Sequence, residues 1–189
     1  MRIVGGRLKG RALKGPSGEG LRPTSDRLRE ALFNVLVHAY GDCVDGARVI
    51  DLFAGTGALA LESLSRGAKI ALLVDDSAQS RALVRENVEA LGLGGQTRLL
   101  RRDATKLGAM PPGEPYTLVF LDPPYGKGLG EQALVSLRDG GWLSPHALLL
   151  LEESAEAQII LPEGFELIEQ REYSVAKVLF LKLNALPSS

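Results

Sequence analysis

Cysteine is almost missing from this chain: Cys43 stands alone, with only His38 and His146 beside it as further soft ligands. An intrachain disulfide is therefore excluded, a zinc constellation has too few ligands, and Cys43 reads as an inert filler. No apolar run approaches the ~18 residues that a membrane helix needs. The opening MRIVGGRLKG has no signal-peptide core, so a cytoplasmic protein without a membrane partner is expected. Internal repeats and low-complexity segments are also lacking. What is present is an ordinary globular composition, 45% hydrophobic and 24% charged over 189 residues, enough for one well-cored domain with small additions.

The formal net charge of -1 conceals a division. Residues 1–30 carry a net +5 and the remainder -6. A basic arm on an acidic body is the asymmetry expected where one face meets phosphate, against the plainer alternative of a solvated terminal segment. Arg7, Lys9, Arg11, Arg22 and Arg27 are the candidate nucleic-acid contacts. RIVGGRLKGRAL alternates apolar and basic residues around glycines, which predicts short strands or a hairpin with Arg7, Lys9 and Arg11 exposed. GPSGEGLRP reads as a flexible link. The expected division is an arm over 1–22, a main domain over 23–184 and a frayed tail over 185–189.

TSDRLREALFNVLVHAYG predicts a helix capped by Thr24 or Ser25 and ended by Gly41, with Leu28, Leu32, Val35, Leu36 and Ala39 as its core stripe. His38 lies beside that stripe and reads as structural. From Ala47 onward, apolar runs alternate with amphipathic stretches in the rhythm of a parallel sheet covered on both faces. The expected strands are ARVIDLF, KIALLVD, TRLLRRD, YTLVFLD and ALLLLEE. SRALVRENVEALG between them turns Leu83, Val84, Val88 and Leu91 inward. FELIEQREY and VAKVLFLKL then follow almost without a break and should pair antiparallel. The sum is an α/β, Rossmann-like, seven-stranded mixed sheet.

Four of these strands end in or near an acid: Asp51, Asp75, Asp103 and Asp122. Any one of them is ordinarily a cap or turn residue; four at one rim point to a ligand. In VIDLFAGTGAL, Gly55 and Gly57 permit a tight turn and close backbone approach, and the following helix offers amide donors. The third glycine of the dinucleotide fingerprint is missing, which weakens a pyrophosphate cofactor. Asp75 follows Asp51 by 24 residues, near the ~20 at which an acid reaches ribose hydroxyls. That spacing suggests an adenosine-like ligand, with Asp103 a candidate acceptor for an adenine amino group.

LVFLDPPYG sharpens the chemistry. Proline lacks the amide that a central strand needs, so the strand must stop at Leu121 or Asp122 and leave DPPY at the ligand-binding rim. Asp122 and the Pro123 carbonyl can each accept one N–H of an exocyclic nucleobase amine and turn its lone pair toward an electrophile. The prolines stiffen that turn, and Tyr125 offers a face for base stacking.

These residues resemble the class I S-adenosylmethionine-dependent methyltransferases. The closer similarity is to the RsmD family of bacterial 16S rRNA guanine-N2 methyltransferases. RIVGG, GRAL, LRPTSDRLREALFNVL, DLFAGTGALALESLSRGA and LDPPY match that family's pattern in its order, through about residue 150. The resemblance implies S-adenosyl-L-methionine as donor, held by Asp51, Phe53, Gly55 and Gly57 near its methionine part, by Asp75 at the ribose and by Asp103 at the adenine. It implies catalysis at Asp122, Pro123 and Tyr125 on a guanine 2-amino group. The RNA partner is then 16S rRNA in an assembling 30S subunit with ribosomal proteins, met by a monomer. Adenine N6 in RNA or DNA is the alternative acceptor; a nicotinamide oxidoreductase and a non-catalytic RNA-binding protein are rivals of other classes. Two departures stand out. Asp75 occupies a position where glutamate is common, and REYSVAKV replaces a glycine-rich C-terminal segment.

Overall fold

A seven-stranded sheet carries the architecture of the described residues; numbered in chain order, its strands lie side by side as third, second, first, fourth, fifth, seventh and sixth. The computed structural model describes residues 1–17 and 24–184. Its strands are β1 (Arg48–Leu52), β2 (Ile70–Val74), β3 (Thr97–Leu100), β4 (Tyr116–Leu121), β5 (Leu143–Ser154), β6 (Phe165–Tyr173) and β7 (Ala176–Leu183). The first five run parallel, and β7 inserts antiparallel between β5 and β6. The helices are α1 (Asp26–Ala39), α2 (Ala58–Ser65), α3 (Ala78–Leu91) and α4 (Leu129–Asp139).

Two apolar layers follow from the period-two alternation of the strands. Val49, Leu73, Leu118 and Phe120 face one side, where they meet α1, α2, α3 and the N-terminal segment. Ile50, Leu52, Val119 and Leu121 face the other, against Leu134 and Leu137 of α4 and the buried Trp142. β4 ends at Leu121, as its following prolines require. β5 begins at Leu143, four residues before the expected ALLLLEE; its early part carries Pro145 and pairs with Tyr116 before a register shift. β3 stops at Leu100, so RRD belongs to the loop beyond it.

Ser25 caps α1, accepting the Leu28 amide. The inward face of this helix is Arg29, Leu32, Phe33 and Leu36. Ala39, expected in that stripe, is exposed, and Leu28 and Val35 are only partly buried. The stripe is rotated because the fully buried Arg29 has partners inside the fold. On α3 the inward set is Leu83, Val84, Asn87 and Leu91, with Val88 half-buried. Asn87 sits beside it, donating to the carbonyls of Lys14 and Thr56 and accepting the Lys14 amide.

The N-terminal segment folds back on itself with one bridge, Arg2 to Ala12, and with Ile3 exchanging backbone bonds with Gly10 and Arg11. It is docked, since Ile3, Leu8 and Leu13 are buried in the same core as the first three helices. Gly6 sits at φ 76°, and a Cβ there would lie 2.0 Å from the Ser65 carbonyl oxygen, so only glycine fits. Arg7, Lys9 and Arg11 are exposed as expected. Arg22 and the 185–189 tail lie outside the described residues. No helix among the described residues is long and apolar enough to cross a membrane.

Glu62 of α2 joins these parts. Its carboxylate accepts the amides of Val4 and Gly5, each at 2.9 Å, the Arg66 Nε at 2.9 Å and the Arg29 Nε at 3.2 Å. Arg29 and Glu62 are both fully buried, and removing one member of such a pair leaves the other uncompensated, at a cost of about 3–5 kcal/mol. Glu62→Ala is accordingly expected to lower the unfolding free energy by about that amount in urea titrations.

Candidate active site

The strand register lays one row of residues along the carboxyl rim. Leu52 pairs with both Val74 and Leu121, and Leu121 pairs with Leu151. The next residues in line are therefore Phe53, Asp75, Asp122 and Glu152. All four line a cavity of about 550 Å³, together with the first turn of α1 and the loop into α2.

At one end, the β1–α2 loop turns sharply. Phe53 has φ 58° and Gly57, the residue capping α2, has φ 83°. A Cβ on Gly57 would stand 3.0 Å from Leu73 Cδ2, so this glycine serves both the turn and the packing of helix on sheet. Gly57 itself is not on the cavity wall, whereas Gly55 is. Asp51 is buried and accepts the Ala60 amide at 3.2 Å. Burial pushes its carboxyl well up; the Ala60 bond opposes this, and the nearby Asp75 adds to it. Asp75 is fixed from both sides, with Oδ2 accepting the Gly55 amide at 3.0 Å and Oδ1 the Ser77 amide at 2.9 Å. Each oxygen keeps acceptor capacity for a ligand hydroxyl.

At the other end, Asp122 accepts the Thr24 hydroxyl at 3.1 Å. Burial in the cavity wall is the main cause that holds the Asp122 carboxyl well above its ordinary range, followed by the negative charge of Glu152. Pro123 is buried and Pro124 exposed, while Tyr125 donates its hydroxyl to Glu152 Oε1 at 2.5 Å. The loop is tied down once more by the Gly126 amide on Glu153, at 2.9 Å.

Asp103 is not brought to the cavity. Its carboxylate accepts the Thr105 hydroxyl at 2.7 Å and the Thr105 amide at 2.8 Å, and these bonds hold its pKa below the usual carboxylate range. Arg7 and Arg11 also lie elsewhere. Arg7 reaches Gln96, and Arg11 donates to the Ala90 carbonyl, so both sit at the C-terminal end of α3. Arg27 is exposed on the first turn of α1, next to the cavity-lining Ser25 and Leu28. Asp76, Ser77 and Glu152 line the cavity without having been singled out from the sequence, and Thr24, expected only as a possible helix cap, lines it too. For Glu152 a signal existed, because β5 also ends in acids.

The charge of the wall is one-sided: Asp51, Asp75, Asp76, Asp122 and Glu152 face in, and no lysine, arginine or histidine does so among the described residues. A pyrophosphate would be repelled. A nucleoside carrying positive charge, with ribose hydroxyls for Asp75, matches both the volume and the sign.

Comparison with known proteins agrees. A family model described as "Conserved hypothetical protein 95" matches residues 1–182. Ribosomal RNA small subunit methyltransferase D of Escherichia coli K12 is 43% identical over 157 residues, 82% of this chain and 76% of that protein. The chain belongs to the RsmD family. The Haemophilus influenzae protein of the same name is 34% identical over 176 residues, covering 90% of this chain and 88% of its own length. Among solved structures, the putative methyltransferase yhhF from Escherichia coli superposes with a TM-score of 0.82 at 34% identity, over 98% of this chain and 99% of that one. This RsmD-family chain is thus a methyltransferase, and S-adenosylmethionine is its donor. The donor's positive sulfonium suits the acidic wall.

The raised carboxyls predict a pH effect on stability. A carboxyl whose pKa is higher in the folded state binds more protons there, so stability falls as pH rises from the ordinary value of 3.8 toward the raised one. Asp122→Asn and Asp51→Asn are each expected to raise the melting temperature at neutral pH relative to wild type. Near pH 4 that advantage should shrink, as read by thermal unfolding across pH.

Proposed function

We propose that this methyltransferase transfers a methyl group to the 2-amino group of a guanine in small-subunit ribosomal RNA, in the cytoplasm and as a monomer. The observation that carries the reading is the rigid Asp122-Pro123-Pro124-Tyr125 corner, standing at one end of a cavity whose other end suits the donor. The relatives named for small-subunit rRNA support the substrate class. S-adenosylmethionine supplies a methyl group on a positively charged sulfur.

An exocyclic amine is a poor nucleophile while its lone pair is delocalised into the ring. Asp122 and the Pro123 carbonyl accept its two N–H bonds and direct the lone pair along the cavity, and Tyr125 stacks on the base. Asp122 is drawn back toward its carboxylate form when a positive charge lies beside it, which offsets the burial that raises its pKa. After transfer, the nitrogen lone pair has left conjugation, and the resulting cation releases its proton to Asp122 or water. Rate enhancement then comes from positioning and desolvation, with no histidine involved. Asp51, Phe53, Gly55 and Asp75 hold the donor in this scheme, Gly57 shapes the loop, and Asp103, whose carboxylate is held by Thr105, is left out of it.

The acceptor base must be unpaired or flipped out of a helix. Arg27 stands where RNA leaves the cavity. Arg7, Lys9 and Arg11 meet phosphates farther off, roughly 20 Å away along the 14 residues of α3. A substrate that long suits a partly assembled 30S subunit better than a short oligonucleotide.

The deciding experiment incubates the protein with labelled donor and ribosomal RNA from cells lacking it, free and as 30S particles, and maps the modified base. Label on a guanine N2 is expected; label on an adenine would refute the acceptor assignment. Asp122→Ala should lose at least about 100-fold in kcat while retaining donor affinity by calorimetry, since it removes a group that positions the amine. Neutralising Arg7, Lys9 and Arg11 together should raise the RNA KM and flatten its dependence on salt, by about one unit of log-log slope per lost phosphate contact. An unchanged slope would leave the arm without a role in RNA binding.

A further inference from the structure

We propose that Thr24 is a positioning residue for methyl transfer, its hydroxyl fixing the plane of the Asp122 carboxylate in the orientation that receives the amine. The proposal rests on the reading of the Asp122 corner as the amine-holding site.

An aspartate at a strand end is ordinarily pinned by the amides that follow it. Two others in this chain show the pattern: Asp75 accepts the Ser77 amide and Asp103 the Thr105 amide, each two residues on. Asp122 is denied it, because Pro123 and Pro124 have no N–H to give. The torsion that turns its carboxylate is intrinsically soft, so a hold on it must come from elsewhere in the fold. Thr24 supplies one from 98 residues away, its hydroxyl donating to Asp122 Oδ2 at 3.1 Å.

Thr24 is built to stay in place. It precedes Ser25, the cap of α1, is 8% exposed and lines the cavity. Its β-branched side chain is stiff. Its carbonyl accepts Nη1 of the fully buried Arg29, which is held in turn by Asp26 and Glu62. The second neighbour of Asp122 is Glu152, hydrogen-bonded to it across the rim. That bond needs a proton on one of the two acids and is lost when both ionise. The Thr24 hydroxyl donates to the ionised carboxylate, the form that accepts the amine's N–H, and holds it more strongly than the neutral form. Thr24 thus acts through Asp122 and takes no proton itself.

The same bond gives the proposal a signature in pH. Burial is the main cause that raises the Asp122 carboxyl, Glu152 raises it further through its charge and hydrogen bond, the Thr24 bond draws it down, and the charge of Asp51 adds a smaller upward push. Asp75 and Asp76 line the cavity as well, Tyr125 is hydrogen-bonded to Glu152, and no lysine, arginine or histidine lines the wall among the described residues. Removing the Thr24 hydroxyl therefore leaves Asp122 harder to ionise.

The test measures kcat against pH for wild type, Thr24→Val and Thr24→Ser, with saturating S-adenosylmethionine and the RNA that wild type methylates. Thr24→Val keeps the shape and loses the donor; it is expected to lower kcat by about 10- to 100-fold, the loss of one hydrogen bond to a charged group. Its acid limb should move to higher pH by about one unit, while donor affinity by calorimetry stays within about twofold. Thr24→Ser, which keeps the hydroxyl, should hold kcat within about threefold and leave the limb in place. Melting temperatures check folding, and Thr24→Ala, which adds no bulk, answers the same question should the valine variant not fold. An unchanged kcat or an unmoved acid limb in the variant lacking the hydroxyl, or an equal loss in Thr24→Ser, would overturn the role of Thr24. Near-normal turnover by Asp122→Ala would instead overturn the amine-holding reading itself.

Discussion

The buried contact between Arg29 and Glu62 ties together parts of the chain that otherwise have no reason to meet. Glu62 accepts the amides of Val4 and Gly5, and Arg29 donates to the carbonyls of Arg2 and Thr24 and to the Asp26 carboxylate. One pair thus docks the N-terminal segment on α2, fixes the rotation of α1, and holds Thr24 where its hydroxyl reaches Asp122. A buried ion pair is weak evidence for net stability, because desolvation offsets its attraction. Its consequence here is geometric: it sets which end of α1 closes the cavity.

That closure gives the site its electrostatic character. Parallel strands end at one rim, and this chain puts acids there repeatedly. Bringing several carboxylates together in a poorly solvated wall is unfavourable, which is why Asp51 and Asp122 are both pushed upward. A positively charged donor relieves the repulsion. Affinity for the donor then has a physical source in this crowding of carboxylates at the rim.

Much of the scaffold was legible in local pattern. The apolar runs marked all seven strands, the missing amides of Pro123 and Pro124 stopped β4 at Leu121, and Ser25 was among the expected caps. The errors have specific causes. Ala39 satisfied helical periodicity, but Arg29 took an inward position on α1 because polar partners awaited it there, as Asn87 did on α3. Asp103 has the same strand-end look as Asp75, yet its acceptor capacity is directed to Thr105. Arg7 and Arg11 were legible as exposed cations, though not as neighbours of the α3 C-terminus.

By itself, then, the sequence determined where the strands lie along the chain, their acidic ends and the stiff DPPY corner, because proline chemistry and side-chain alternation act within a few residues. Tertiary structure alone decided that Thr24 meets Asp122 from 98 residues away, and that Glu152 stands next to that aspartate on the cavity wall. Those relations depend on inter-strand register and on how α1 is docked, which are settled by packing across the whole sheet and which no local window of sequence contains.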